Sequence, residues 1–80
     1  SFDDRLHRMA KVWQDKYKLS DSEIDILIRA ASGEPREAIA LARDSSKLTI
    51  KKHVANLLKK TSDGSLLVAA QRLLRAIAGS

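Results

Sequence analysis

The sequence predicts a small all-α helical bundle, and three observations carry the prediction. Apolar residues recur at helical spacings of three and four in successive segments; no alternating run marks a half-buried strand; and the breaks between segments are Ser, Asp, Gly or Pro clusters suited to caps and turns. Eighty residues make one domain at most, and the absence of cysteine removes disulfides, thiolate metal sites and cysteine nucleophiles together. The chain is 44% hydrophobic and 31% charged, too apolar for disorder and without an uncharged stretch long enough to span a bilayer. A domain of this size buries only about 60% of the surface its unfolded chain exposes. Little remains to enclose a substrate as well as a core, so neither catalysis nor a cofactor is expected.

The first segment places Phe2, Leu6, Met9, Trp13 and Tyr17 on one stripe, which predicts an amphipathic helix over about 3 to 17. Trp13 and Tyr17 could stack on bases, but their shared stripe with Leu6 and Met9 favours a core role several times over. Ser20-Asp21-Ser22-Glu23 has capping-box spacing, so a second helix should begin at Asp21 and bury Ile24, Leu27, Ile28 and Ala31. Gly33 is placed to end it in the left-handed conformation. Pro35 suits the first turn of a third helix, which needs no amide there, and Ala38, Ile39, Ala40, Leu41 and Ala42 continue it. Arg43-Asp44-Ser45-Ser46 breaks the pattern, with Ser45 or Ser46 as the next cap. From Lys47 to about Thr61, the residues Ile50, Val54, Leu57, Leu58 and Thr61 form an inward stripe. Ser62-Asp63-Gly64-Ser65 then reads as turn and cap, followed by a fifth helix carrying Leu66, Leu67, Ala70, Leu73, Leu74 and Ile77.

Charge is concentrated rather than spread. Residues 1 to 46 carry eight basic and nine acidic side chains, whereas residues 47 to 60 carry Lys47, Lys51, Lys52, Lys59 and Lys60 with no acid. The net charge of +5 therefore sits in one helix, a pattern that suits either a polyanion or a solvated face. Two short helices joined by a tight turn, the second cationic on its outer face, have the organisation of a helix-turn-helix whose second helix enters a DNA major groove.

The residues also resemble a family. Thr49-Ile50-Lys51-Lys52-His53-Val54-Ala55-Asn56-Leu57-Leu58-Lys59-Lys60 is similar to the T-V-K-x-H-V-x-N-I-x-x-K recognition helix of LuxR/GerE-type (FixJ/NarL-type) bacterial transcription regulators. Upstream, Leu19, Glu23, Leu27, Gly33, Ile39 and Ala40 fall on that family's L-T-x-x-E-x-x-V-L…G…I-A pattern, so the likeness covers about half the chain without gaps. It implies a four-helix LuxR-type core over 19–80, preceded by an extra amphipathic or linker helix over 1–18. It further implies sequence-specific binding of double-stranded DNA in transcription regulation, and therefore a cytoplasmic, nucleoid location. By position Lys51 and Lys52 fall at the base-reading edge, Thr49 at a phosphate or helix-start position, and Lys59 toward the backbone; Ala55 and Asn56, which lie off the inward stripe, complete the DNA-binding set. Phosphate contact by Lys47 and Lys60 is added here from charge alone.

Beginning at Ser1 without a Met, the chain is expected to be the effector part of a longer regulator, meeting RNA polymerase or a regulatory domain. The fifth helix has more apolar surface than one packed face needs. Leu67, Val68, Gln71 and Arg75 are the candidate homodimer contacts, with burial under the first helix an equal alternative. Two departures from the family pattern stand out. Arg43-Asp44-Ser45-Ser46 replaces an L-G-I-S turn and is expected to differ in conformation or packing, and Glu37 puts an acid where phosphate would lie. Both leave open a helix-turn-helix that binds protein instead. His53 has only His7 as a fellow histidine and no cysteine, so a structural or DNA-edge role outweighs a metal or general-base one.

Overall fold

The computed structural model describes residues 1–79 and contains five helices, with no strand among the described residues. They are α1 (Phe2–Tyr17), α2 (Asp21–Ala31), α3 (Arg36–Ala42), α4 (Lys47–Thr61) and α5 (Leu66–Ala78). Helix α2 lies at the centre and packs against each of the other four, while α1 leans on α2 and α5, and α3 on α2 and α4. The core is correspondingly shared. Leu6, Ile26, Leu27, Ile39, Ile50, Leu57 and Leu73 are its largest fully buried side chains, and every helix contributes at least one.

Local chemistry starts and stops each helix. Ser1, Ser20, Ser46 and Ser65 each accept a hydrogen bond from the amide three residues on, satisfying one of the free donors of the first turn. At α2 the capping box is complete, with the Ser20 amide donating to Glu23 Oε1 at 2.8 Å and the Glu23 amide donating to Ser20 Oγ at 3.1 Å. The same helix ends in a Schellman motif. The Glu34 amide reaches the Arg29 carbonyl and the Gly33 amide reaches that of Ala30, with Gly33 at φ +93° where a side chain would be strained.

Several boundaries and faces differ from the sequence expectation. Pro35 is the residue before α3, in extended conformation, and Arg36 takes the first helical position. The buried stripe of α1 runs through Leu6, Ala10 and Trp13, leaving Phe2 53% exposed in the first turn of the helix. Leu58 and Leu74 are half-buried at the margins of their stripes, and Ala69 takes an inward place on α5 that Leu67 was expected to share.

One polar knot ties α1 to α5. The Arg72 guanidinium donates to both carboxylate oxygens of Asp63 at 2.9 and 3.0 Å and to the Tyr17 hydroxyl at 3.0 Å, and lies 4.2 Å from the Trp13 ring centroid. Trp13 and Tyr17 meet edge to face at 5.4 Å. The aromatic residues are thus committed to packing and a cation-π contact, not to an open stacking platform. Hydrogen bonds from Arg72 outweigh burial and hold the Asp63 carboxyl below the usual range, and the same guanidinium lowers the Tyr17 hydroxyl.

Candidate nucleic-acid interface

Helix α4 is built as two opposed stripes. Ile50, Val54, Leu57 and Thr61 are buried at spacings of four, three and four. Leu48, Lys52, Ala55 and Lys59 repeat that spacing two residues earlier and are all exposed. Two residues correspond to roughly 200° of rotation, so the second stripe points almost directly away from the core. Lys51 and Asn56 flank it and are exposed, as are Lys47 and Thr49 at the helix start. Lys47, Lys51, Lys52 and Lys59 make no ion pair within 4.0 Å among the described residues. Their charges are therefore free to meet an outside anion.

Thr49 takes part in the start of the helix. Its amide donates to Ser46 Oγ at 3.1 Å, and its own hydroxyl oxygen accepts from that serine at 3.0 Å. The remaining donor capacity of the Thr49 hydroxyl faces solvent on an exposed residue.

Lys60 is placed differently. Its Nζ lies 2.7 Å from Glu23 Oε1, on a side chain only 4% exposed, and this acid also receives the Ser20 amide of the α2 cap. Burial pushes the Glu23 carboxyl up, but hydrogen bonds from Lys60 and Ser20 prevail and hold it below its ordinary value. A phosphate contact assigned to Lys60 from its charge thus competes with an internal partner, because an ammonium drawn off Glu23 would leave a buried carboxylate alone. The sequence held the clue in two unconnected places: the capping-box acid and the last lysine of the basic run, 37 residues apart.

The turn before α4 contains one left-handed residue. Asp44 sits at φ +50°, in the slot where the L-G-I-S pattern has glycine, and its amide donates to the Leu41 carbonyl. Aspartate tolerates that conformation better than most residues. Arg43 reaches back to α2, donating to Asp25 Oδ2 and to Ser22 Oγ, and Asp25 also accepts from Arg29 at 3.1 Å. Burial raises the Asp25 carboxyl, yet hydrogen bonds from Arg43 and Arg29 outweigh it and leave it below the usual range. Polar contacts to α2 thus brace this turn.

Glu37 is exposed on α3 beside the basic helix, lining a shallow cleft with Arg36, Lys47, Ile50 and Lys51. With Asp44 it is one of two exposed acids on the α3 to α4 unit, against four free lysines. On α5, Leu67 is 66% and Val68 44% exposed, with Gln71 and Arg75 also open. Helix α1 packs on α5 without covering them. Burial of this face under α1 is therefore excluded as an account of its apolar character.

No group of three or more metal-ligating side chains is assembled among the described residues. Among the described residues no helix is long and apolar enough to cross a membrane. Comparison with protein-family models, with curated proteins and with solved structures finds no match to this chain.

Proposed function

We propose that this domain binds double-stranded DNA as the effector part of a bacterial transcription regulator, with α4 in the major groove. The observation that carries the reading is the exposed surface of α4, where Lys52 and Lys59 lie opposite the core contacts, Lys51 flanks them and Lys47 stands at the helix start, with no ion pair to any of the four among the described residues. A helix presented in this way, held by a short helix and a tight turn, meets the steric and electrostatic demands of groove insertion. Lys51 and Lys52, in the N-terminal half, are assigned to base edges, where lysine can donate to guanine O6 and N7. Lys47 and Lys59 are assigned to phosphates. A cytoplasmic, nucleoid location belongs to the same reading. So does a homodimer through Leu67, Val68, Gln71 and Arg75, which would call for paired half-sites about one helical turn apart.

Salt dependence is the test. The two phosphate neutralisations assigned to Lys47 and Lys59 give a slope of log affinity against log salt of about −1.8 per domain, which reads as binding about 3.5-fold weaker for each doubling of salt. Fluorescence anisotropy on a labelled mixed duplex from 50 to 200 mM salt measures it. Lys51→Ala and Lys52→Ala should cost about 1–3 kcal/mol on a preferred site and relax its selectivity, whereas Lys59→Ala should weaken all duplexes alike and reduce the slope by about one. Equal losses on every sequence for all three variants would remove the base-reading assignment.

A protein partner is the rival reading, and specific observations favour it. Leu41 is 84% and Leu48 62% exposed on the same helix-turn-helix, and Glu37 lies beside Lys47. A flat salt response, or no anisotropy change at 50 mM salt, would move the assignment to this reading.

A further inference from the structure

The outward stripe of α4 is not purely cationic. Leu48 is the second residue of the helix, 62% exposed, and lies on the same line as Lys52, Ala55 and Lys59, opposite Ile50, Val54 and Leu57. Most of its surface is open to solvent, and a single exposed leucine is ordinary on a protein surface. Its charged neighbours make the position unusual. Lys51 and Lys52 follow it by three and four residues, one helical turn on, and Lys47 precedes it, so the leucine is ringed by cations that carry no internal ion pair. The next small apolar residue on the line, Ala55, is short and lets the helix approach a surface closely.

Resting on the DNA-binding reading, we infer that Leu48 is a specificity-determining residue that packs against the 5-methyl group of a thymine in the major groove. Residues at the N-terminal end of an inserted helix are those that reach base edges. The thymine methyl is the apolar group that a base pair presents in the major groove, and a leucine held beside the base-reading Lys51 and Lys52 is placed to meet it. The same chemistry selects B-form DNA over duplex RNA, which lacks the methyl and has a major groove too narrow for the helix. A leucine docking into a protein groove would be indifferent to that methyl.

The experiment removes the methyl alone. Preferred duplexes are selected from a random pool with the 80-residue chain at physiological salt, and each thymine of the selected site is then replaced singly by deoxyuridine. Binding of the wild-type chain should weaken about fourfold at one position per half-site, equivalent to about 0.8 kcal/mol for one buried methyl-sized group. Leu48→Ala should bind the thymine site about as weakly as the wild type binds the deoxyuridine site, and should no longer distinguish the two. Because Leu48 is exposed, the variant's thermal melt should match the wild type, which separates a lost contact from a lost fold. Selected sites that tolerate deoxyuridine at every position, or that contain no thymine, would overturn the inference while leaving DNA binding intact. Failure to bind any duplex at low salt would instead overturn the reading on which it rests, and this inference with it.

Discussion

The Glu23–Lys60 pair gives the sharpest quantitative consequence of the fold. Replacing Lys60 by methionine keeps most of its aliphatic stem and removes the ammonium that lies 2.7 Å from Glu23 Oε1. Losing one partner of a buried pair costs roughly 3–5 kcal/mol when both are inaccessible. Here the Glu23 side chain is 4% exposed but that of Lys60 is 37% exposed, so solvent already screens the cation, and the Ser20 amide still donates to the acid. About 2 kcal/mol is the resulting expectation for Lys60→Met, read from urea midpoints at constant m value. In a domain of this size that lowers Tm by roughly 8–16 °C. Adding Glu23→Gln to Lys60→Met should recover about half the loss, because a neutral amide oxygen can still accept from Ser20 without burying a charge. Lys59→Met, one residue earlier on the exposed stripe and unpaired, should change stability by about 0.5 kcal/mol or less. The DNA readout runs the other way: Lys59→Met flattens the salt slope, while Lys60→Met lowers stability with the slope little changed. Equal stability for the two variants, or a slope loss confined to Lys60→Met, would refute the assignment of Lys60 to the core and return it to phosphate.

Other consequences are checked in the same assays. Arg72→Ala removes the bidentate pair to Asp63, the bond to Tyr17 and the stack on Trp13, and should cost about 2–3 kcal/mol by urea unfolding, with Trp13 emission shifting red; Arg72→Lys should recover less than half, since an ammonium cannot donate as a fork. Asp44→Val forces a β-branched side chain into φ +50° and should cost about 1–2 kcal/mol, whereas Asp44→Gly should be neutral or stabilising in the same thermal melts. Acid should unfold the domain through Glu23, Asp25 and Asp63, all of whose carboxyls lie below their ordinary values. A depressed folded-state pKa contributes stability that is present above the unfolded pKa of about 4 and is lost as pH falls through the lower folded values. Circular dichroism should therefore show stability level from pH 7 to about 5 and falling below about 4; a melt insensitive to pH down to 3 would remove these pairs as contributors.

Periodicity and caps made most of the secondary structure legible. The five helices, the capping box at Ser20 and Glu23, the left-handed Gly33 and the serine starts of α4 and α5 all rest on interactions within four residues, and such interactions are written in adjacent letters. The outward face of α4 was legible for the same reason, since the buried stripe of Ile50, Val54 and Leu57 fixes which residues lie opposite. Pro35 was displaced by one residue because both sides of a helix start accept its φ.

Contacts between distant residues were decided only by the tertiary structure. Nothing near Lys60 distinguishes it from Lys59; the difference arises because one helical position turns the side chain toward Glu23 on α2, and the other turns it to solvent. Arg43 looked like a departure from an apolar turn, and it became a brace only when α2 brought Asp25 and Ser22 within reach. Arg72 likewise found Tyr17 on α1, while pairing with Asp63 in the turn before its own helix. Local sequence determines which way a helix face points, because backbone geometry repeats every 3.6 residues. The partner of a charge on that face depends on how separate helices pack, so only the folded bundle settles it.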